Sequence, residues 1–389
     1  MMTDTKKFLL YLLLLAVVPS SVHAQDNSSE FKVVPEESVT PPMIEPEEFY
    51  RGEVIEIIEE HQEDFGLGGT RPFVQTIKVK VLTGPETEQE KTLEYDSLME
   101  EQKVAIGQRV VLLTPNNTTY IFDRYRLPAL GGILLLFAAL AIAFAGWRGL
   151  TSLVGLGVSV LVLALYVVPR IMAGGNPLVA SLIGALMITF VSIYLAHGFN
   201  QRTTIAVTST LITVVLAIGL AQLFVQWTSL TGSGSEEAFH LQTSPIAFVN
   251  LKGLLLGGII IGALGVLDDI TTAQTAAVYE IWRANPRLSR RELFKRGTSV
   301  GKEHITSLVN TLALAYVGAS FPALLLFTVY QRPWWVVVNT EMISEEIVRT
   351  LVGSIALMAA VPISTSIAVW WLARRQLDAS GGHATIKVH

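Results

Sequence analysis

The chain has 389 residues, of which 51% are hydrophobic and only 16% charged, and its mean hydropathy of +0.48 is too apolar for an ordinary soluble protein of this length. The formal net charge of −5 argues against nucleic acid as a partner. The chain has no cysteine, which excludes disulfides, thiolate metal sites and cysteine nucleophiles.

Residues 1–24 read as a signal peptide: Lys6 and Lys7 form a short basic start, "FLLYLLLLAVV" is an apolar core broken by Pro19, and "VHA" ending at Ala24 is a small-residue cleavage site. The alternative is an uncleaved first membrane helix, for which the apolar core is short. Cleavage would leave the mature N-terminus outside the cytoplasm. Residues 25–48, rich in Glu, Pro and Ser, cannot bury enough apolar surface to fold and read as an acidic, disordered linker. From 49 to 126 the pattern changes to strands. In "VQTIKVKVL" Ile77, Val79 and Val81 alternate with Lys78 and Lys80, the period of a half-buried strand. With "RGEVIEIIEE", "KTLEY", "GQRVVLLT" and "TYIFD" this makes about five short strands, expected to form a small OB-like or SH3-like barrel; an irregular meander is the alternative.

The apolar runs begin at Leu127. A bilayer crossing takes about 20 residues, and spans are expected near 128–146, 150–168, 177–196, 204–226, 246–267, 305–328 and 350–372, about seven in all. With the N-terminus outside, the inner segments carry Arg148, Arg202, the arginines and lysines of 268–304, and Arg374 and Arg375, while the outer segments between spans carry little beyond Arg170 and Arg332. This follows the positive-inside rule. The 268–304 stretch is expected to be a cytoplasmic loop holding a basic amphipathic helix on the inner membrane surface, and 373–389 a cytoplasmic tail. Trp334 and Trp335 read as an interfacial belt, and Pro322 is expected to kink the sixth span.

The fifth span ends in two adjacent acids, Asp268 and Asp269. They either cap and solvate the exit of the helix or lie within the hydrocarbon, where a carboxylate is costly and functional. Gly258, Gly262 and Gly265 recur on one helical face, which Asp269, Thr272 and Glu280 continue. A small-residue stripe is where another helix approaches, so Asp269 is expected to face a partner helix and Asp268 to lie about 100° away. The expected partner is the sixth span, where Glu303, Thr306, Ser307, Asn310 and Thr311 share a face flanked by Lys302 and His304. An unpaired Asn310 amide inside the membrane is costly, so it is expected to hydrogen-bond to a neighbouring helix.

Several stretches together resemble the YibE/F-like family of bacterial membrane proteins: "DRYR" before the first span, "HGFNQRT" after the third, "GALGVLDDITTAQ" with "VYE", "VGKEHITSLVNTLALAYVG" and "EEIVRTLVGSIAL". The resemblance covers residues 50–372. It implies a polytopic bacterial membrane protein without an established activity. The family's recurrent acid matches Asp269, Asp268 is present in only part of the family, and Glu303 stands where an aspartate is more frequent.

The chain carries no HExxH or Walker A motif, "TGSGS" at 231–235 is a Gly/Ser loop and not a serine nucleophile site, and His61, His197, His240, His304, His383 and His389 are scattered. No catalytic residue, metal or cofactor is expected. The expectation is therefore a polytopic inner-membrane protein with an extracytoplasmic β domain and a cytoplasmic C-terminus. It would pass an ion or small solute through a polar site of Asp269, Glu303 and Asn310 between the fifth and sixth spans, with Asp268, Thr272, Lys302 and Glu280 as further candidates. The alternative is a non-catalytic anchor or scaffold whose β domain docks an envelope protein. Expected partners are the lipid bilayer, the ion or solute, and a second copy or an envelope protein.

Overall fold

The computed structural model describes residues 48–62, 73–97, 99–115, 118–244 and 248–381, with side chains as far as Arg374. The expected signal peptide, nearly all of the linker and the end of the tail lie outside the described residues. The chain divides into two units, with one boundary between residues 140 and 141.

In the first unit each of the five expected strand segments is a strand: β1 (Phe49–Gln62), β2 (Phe73–Val81), β3 (Glu90–Ser97), β4 (Arg109–Leu113) and β5 (Tyr120–Arg124). They form one antiparallel sheet of order β3-β2-β1-β4-β5. Its two edges approach each other without pairing, so the sheet curls into a half-barrel open along one seam. Two irregularities in β1, at Val54/Glu56 and Ile57/Glu59, supply the bend. Alternation puts Val54, Ile77, Val79, Val81, Val110 and Leu112 in the core. Lys78 and Lys80 point outward and pair with Glu56, Glu90 and Glu88. Gly52 lets β1 cross this core, because a Cβ there would stand 2.6 Å from Val79 Cγ1 and 2.8 Å from Leu112 Cδ1. The apolar helix α1 (Leu127–Ala145) follows β5 and buries none of its residues.

The second unit is helical. It comprises α2 (Trp147–Met172), α3 (Pro177–His197), α4 (Gln201–Trp227), the short α5 (Glu236–Thr243), α6 (Leu251–Ala284), α7 (Arg290–Ala319), α8 (Phe321–Val329), α9 (Trp334–Asn339) and α10 (Glu341–Gly381). Among the described residues six helices are long and apolar enough to cross a membrane: α1, α2, α3, α4, α6 and α10. The pair α7 and α8 qualifies jointly but is bent by 56°. The bend falls where Pro322 enters the first turn of α8, as its missing N–H requires.

Helices α4, α6 and α10 pack on one another, with α3 laid against α6, and α7 against α10 and α6. The shared core is aliphatic, with Val214, Ala217, Ala221, Leu255, Ile259, Ile260, Leu264, Leu267, Val352 and Ala356 all buried. One expectation changes here. The 268–304 stretch is not a separate surface segment, since α6 runs unbroken through both aspartates to Ala284 and α7 starts at Arg290. "AQTAAVYEIWRA" contains no glycine or proline to stop the helix; Pro286 does so. Ser289 then caps α7, its Oγ accepting from Glu292 N at 3.2 Å.

Candidate functional site

Two of the motif stretches meet in space. "HGFNQRT" is the tight turn between α3 and α4. Gly198 takes a left-handed φ of 75°, Phe199 stacks on Tyr194 at 4.6 Å, and Asn200 Oδ1 caps α4 by accepting from Thr203 N at 3.0 Å. The turn presents His197 and Arg202 beside α6, where they line a small cleft with Thr203, Ala206 and Thr272. Asp269 stands within electrostatic reach of His197. The Thr272 hydroxyl donates back to the carbonyls of Asp268 (2.8 Å) and Asp269 (3.0 Å).

Asp268 turns the other way. Its carboxylate faces Thr210 of α4, and its Oδ1 is sealed from solvent with no hydrogen-bond partner among the described residues. Thr210 and Thr271 are both fully buried and their hydroxyls meet at 2.6 Å. Further along the three-helix interface Gln274 is fully buried, and its Nε2 donates to Gly297 O of α7 (2.8 Å) and Thr365 Oγ1 of α10 (2.7 Å). Ser209, Thr213, Thr275 and Ser364 are buried in the same helices. The heart of an otherwise aliphatic bundle is thus polar. Ser209, Thr213 and Thr365 return their hydroxyls to the carbonyl four residues back, which is how such side chains are kept in apolar helices. Gln274 Oε1, Thr275 Oγ1 and Ser364 Oγ have no partner among the described residues.

The expected site between α6 and α7 is not assembled. Asp269, Glu280, Lys302, Glu303 and Asn310 are all exposed and Thr272 is half-buried. Gly258 and Gly265 have open space where a Cβ would stand, and Gly262 has only the Tyr316 hydroxyl, at 3.1 Å. The helix pairing itself is real, but it runs through other glycines. A Cβ on Gly297 would stand 2.8 Å from Val278 Cγ2 and 3.0 Å from Thr365 Cγ2, and one on Gly301 would stand 2.6 Å from Gln274 Oε1. Glu303 and Asn310 are two and nine positions beyond Gly301, about 200° and 180° round the helix, and so face away from the bundle. Among the described residues no hydrogen bond from the Asn310 side chain forms, contrary to expectation. On α6 the close approach to α3 uses Gly253 and Gly257, where a Cβ on Gly257 would stand 2.9 Å from Ser181 Cβ. The packing pair is offset by one residue from the expected stripe.

At the other end of the helical unit, α7, α8 and α10 form an open, apolar groove of about 280 Å³ lined by Ala313, Tyr316, Val317, Leu324, Ile343 and Leu351 among others. Nearby, the "TGSGS" loop wraps the start of α10. Glu341 Oε1 accepts from Thr231 N (2.7 Å), Gly232 N (2.9 Å) and Ser233 N (3.3 Å), and Glu345 Oε1 accepts from Gly234 N (3.0 Å).

Long apolar helices around a polar interior define a multi-pass α-helical membrane protein. The model of the YibE/F-like proteins matches residues 133–374, and the chain belongs to that family. Comparison with curated proteins and with solved structures gave no match.

Proposed function

We propose that the protein is a transporter of the bacterial inner membrane that passes a cation or small solute along the interface of α4, α6 and α10. In this reading the bent pair α7 and α8 is one span, so the chain crosses seven times. The β unit is extracytoplasmic and the C-terminus cytoplasmic, an orientation supported by Arg148, Arg202 and the basic α6–α7 turn falling on one side. Helix α6 has 34 residues, about 51 Å at 1.5 Å per residue, against about 30 Å of hydrocarbon. The aspartates then sit near the inner boundary and the α6–α7 hairpin extends into the cytoplasm.

The observation that carries the reading is Asp268 with its sealed, unpartnered Oδ1 beside Thr210 and Thr271. Buried polar atoms are normally paired, and an ionisable residue inside a membrane bundle marks a pathway. Hydroxyls kept only for packing would be satisfied by their own helix, and Thr275 and Ser364 are not. The test is reconstitution in liposomes with an internal pH dye and a panel of inorganic ions. Flux above protein-free liposomes supports the reading, and its absence for every ion overturns it. An exposed edge-to-face pair on the half-barrel, Phe49 and Phe122 at 5.3 Å, favours a second reading in which the β unit docks an envelope protein. That reading expects Phe122→Ser to abolish crosslinking of the β unit to an envelope protein while leaving ion flux intact.

A further inference from the structure

We infer that α7 binds the α7 of a second copy of this chain, as a parallel pair of helices inside the membrane with Asn310 at its centre. The inference rests on the reading of α7 and α8 as one span. It does not depend on the transport route, which lies within one protomer.

The observation is a seam on α7. Val300, Glu303, Ser307, Asn310, Leu314 and Val317 are all exposed. Their spacing alternates between three and four residues, the heptad pattern by which two helices interlock. Gly297 and Gly301, which pack α7 on its own bundle, lie about 130° round the helix from the middle of this seam. The seam is therefore uncovered in the single chain.

Depth makes an uncovered seam costly. Helix α7 runs antiparallel to α6, with Gly297 against Val278 and Gly301 against Gln274, so Asn310 stands level with Gly265. Counting about 20 residues from Leu251, the first residue of α6, puts the inner boundary of the hydrocarbon near Ile270. Asn310 is then about 7 Å inside it. Near the same level, set by the Thr210–Thr271 and Gln274–Thr365 contacts, the outward residues of α4 and α10 are Ile212, Val215 and Met358. Those suit lipid, whereas an amide in hydrocarbon is costly unless it is hydrogen-bonded.

A second copy fits the seam because the seam is compatible with itself. Every copy enters the membrane in the same orientation, so a two-fold axis along the bilayer normal sets each residue opposite its own counterpart. An Asn amide both donates and accepts, so Asn310 pairs with the second copy's Asn310. The Ser307 hydroxyls pair in the same way, Leu314 and Val317 meet as apolar layers, and Thr306 and Thr311 flank the seam. One polar Asn in such a seam fixes register, and polar side chains join helices in lipid. Glu303 stands at the boundary itself, level with Thr272, where water and the adjacent Lys302 and His304 offset the two like charges.

The chain has no cysteine, so single cysteines report the seam directly. In liposomes holding the full chain, copper–phenanthroline as oxidant should join Ser307→Cys or Leu314→Cys protein into disulfide dimers, since a disulfide needs Cα atoms within about 7 Å. Ala315→Cys, exposed one position off the seam, and Val215→Cys, exposed on α4, should stay monomeric. In the Leu314→Cys background, Asn310→Ala should raise the protein-to-lipid ratio at half-crosslinking about three- to thirty-fold, the range for one interhelical hydrogen bond. Monomer at all four positions, equal crosslinking at Leu314 and Ala315, or an unchanged ratio in Asn310→Ala would each overturn the inference. Reaction of Leu314→Cys with an impermeant maleimide in intact membranes would overturn it together with the seven-span reading. Seam-specific dimers without ion flux would keep the pair and remove transport.

Discussion

Replacing Gly301 by alanine separates the glycines that pack α7 from those that merely line α6. The added methyl would stand 2.6 Å from Gln274 Oε1 and closer still to Val361 Cγ1, where ordinary carbon contacts are about 3.5–4.0 Å. Val361 is fully buried on α10, and a β-branched side chain in a helix has essentially one rotamer. It cannot swing aside, so α7 must move by about 1 Å or more, at an overpacking cost of about 1–3 kcal/mol. Alanine regains about 0.8–1 kcal/mol of helix propensity over glycine. Gly265→Ala receives the same propensity gain, and its methyl points into open space. The difference between the two variants therefore cancels propensity and isolates the overpacking term, about 1–3 kcal/mol. Reversible unfolding of the full chain in mixed micelles, followed by helical signal, measures it. Equal stability of the two variants, or greater damage from Gly265→Ala, would refute the packing geometry and restore the stripe of Gly258, Gly262 and Gly265 as the seam.

Three further outcomes are expected. In spheroplasts, cysteine introduced at Ser233 is expected to react with an impermeant maleimide and cysteine at Ser289 is not; the opposite pattern reverses the orientation. Removing the carboxylate in Glu341→Ala frees the backbone N–H groups of 231–233 that it accepts from, so exchange of those amides should accelerate at least ~tenfold, as losing a bond of over a kcal/mol to a charged group implies, and unchanged exchange would mean that the cradle does not hold the loop. In the β unit, the Lys103 ammonium bonded to Glu60 holds its carboxyl below the usual range; this stabilisation is complete above the ordinary carboxylate value and is lost as pH falls through the lowered one. Protection of the β1 and β2 amides, corrected for the intrinsic pH dependence of exchange, should therefore fall on acidification, less steeply in Glu60→Gln, and parallel profiles would exclude the pair as a contributor.

The elements were legible because their signals are local. Alternation over 73–81 specified β2 with its inward valines and outward lysines, and unbroken apolar runs of about 20 residues specified the spans. The length of α6 is not legible in composition, because a change from apolar to polar residues marks the exit from the membrane and not the end of a helix, and no glycine or proline between Asp268 and Ala284 breaks one. The packing face of α6 is ambiguous in the sequence for a related reason. Small residues on a helix mark close approach, but α6 carries two adjacent glycine registers, and only the aliphatic residues of other helices decide which one is covered. Gly257 is covered and Gly258 is not. Choosing Asp269 over Asp268 inherited that choice. Gln274, Thr210 and Thr365 come together from three helices that are distant in sequence, and no periodicity within one segment reports such a meeting. A signal for them was nonetheless present, in Ser209, Thr210 and Thr213 on α4 and Thr271 and Thr275 on α6. Gly297 and Gly301, four residues apart, were likewise readable as a packing pair.

The central claim, that the buried carboxylate of α6 lies on a permeation route, is tested most directly by flux through liposomes holding Asp268→Asn, Asp269→Asn or Asn310→Ala protein at matched, monodisperse loading. The account predicts that Asp268→Asn abolishes flux, that Asp269→Asn lowers it by less, and that Asn310→Ala leaves it at the wild-type rate. Wild-type flux through Asp268→Asn, with loss through Asp269→Asn or Asn310→Ala, would contradict it and return the route to the face between α6 and α7.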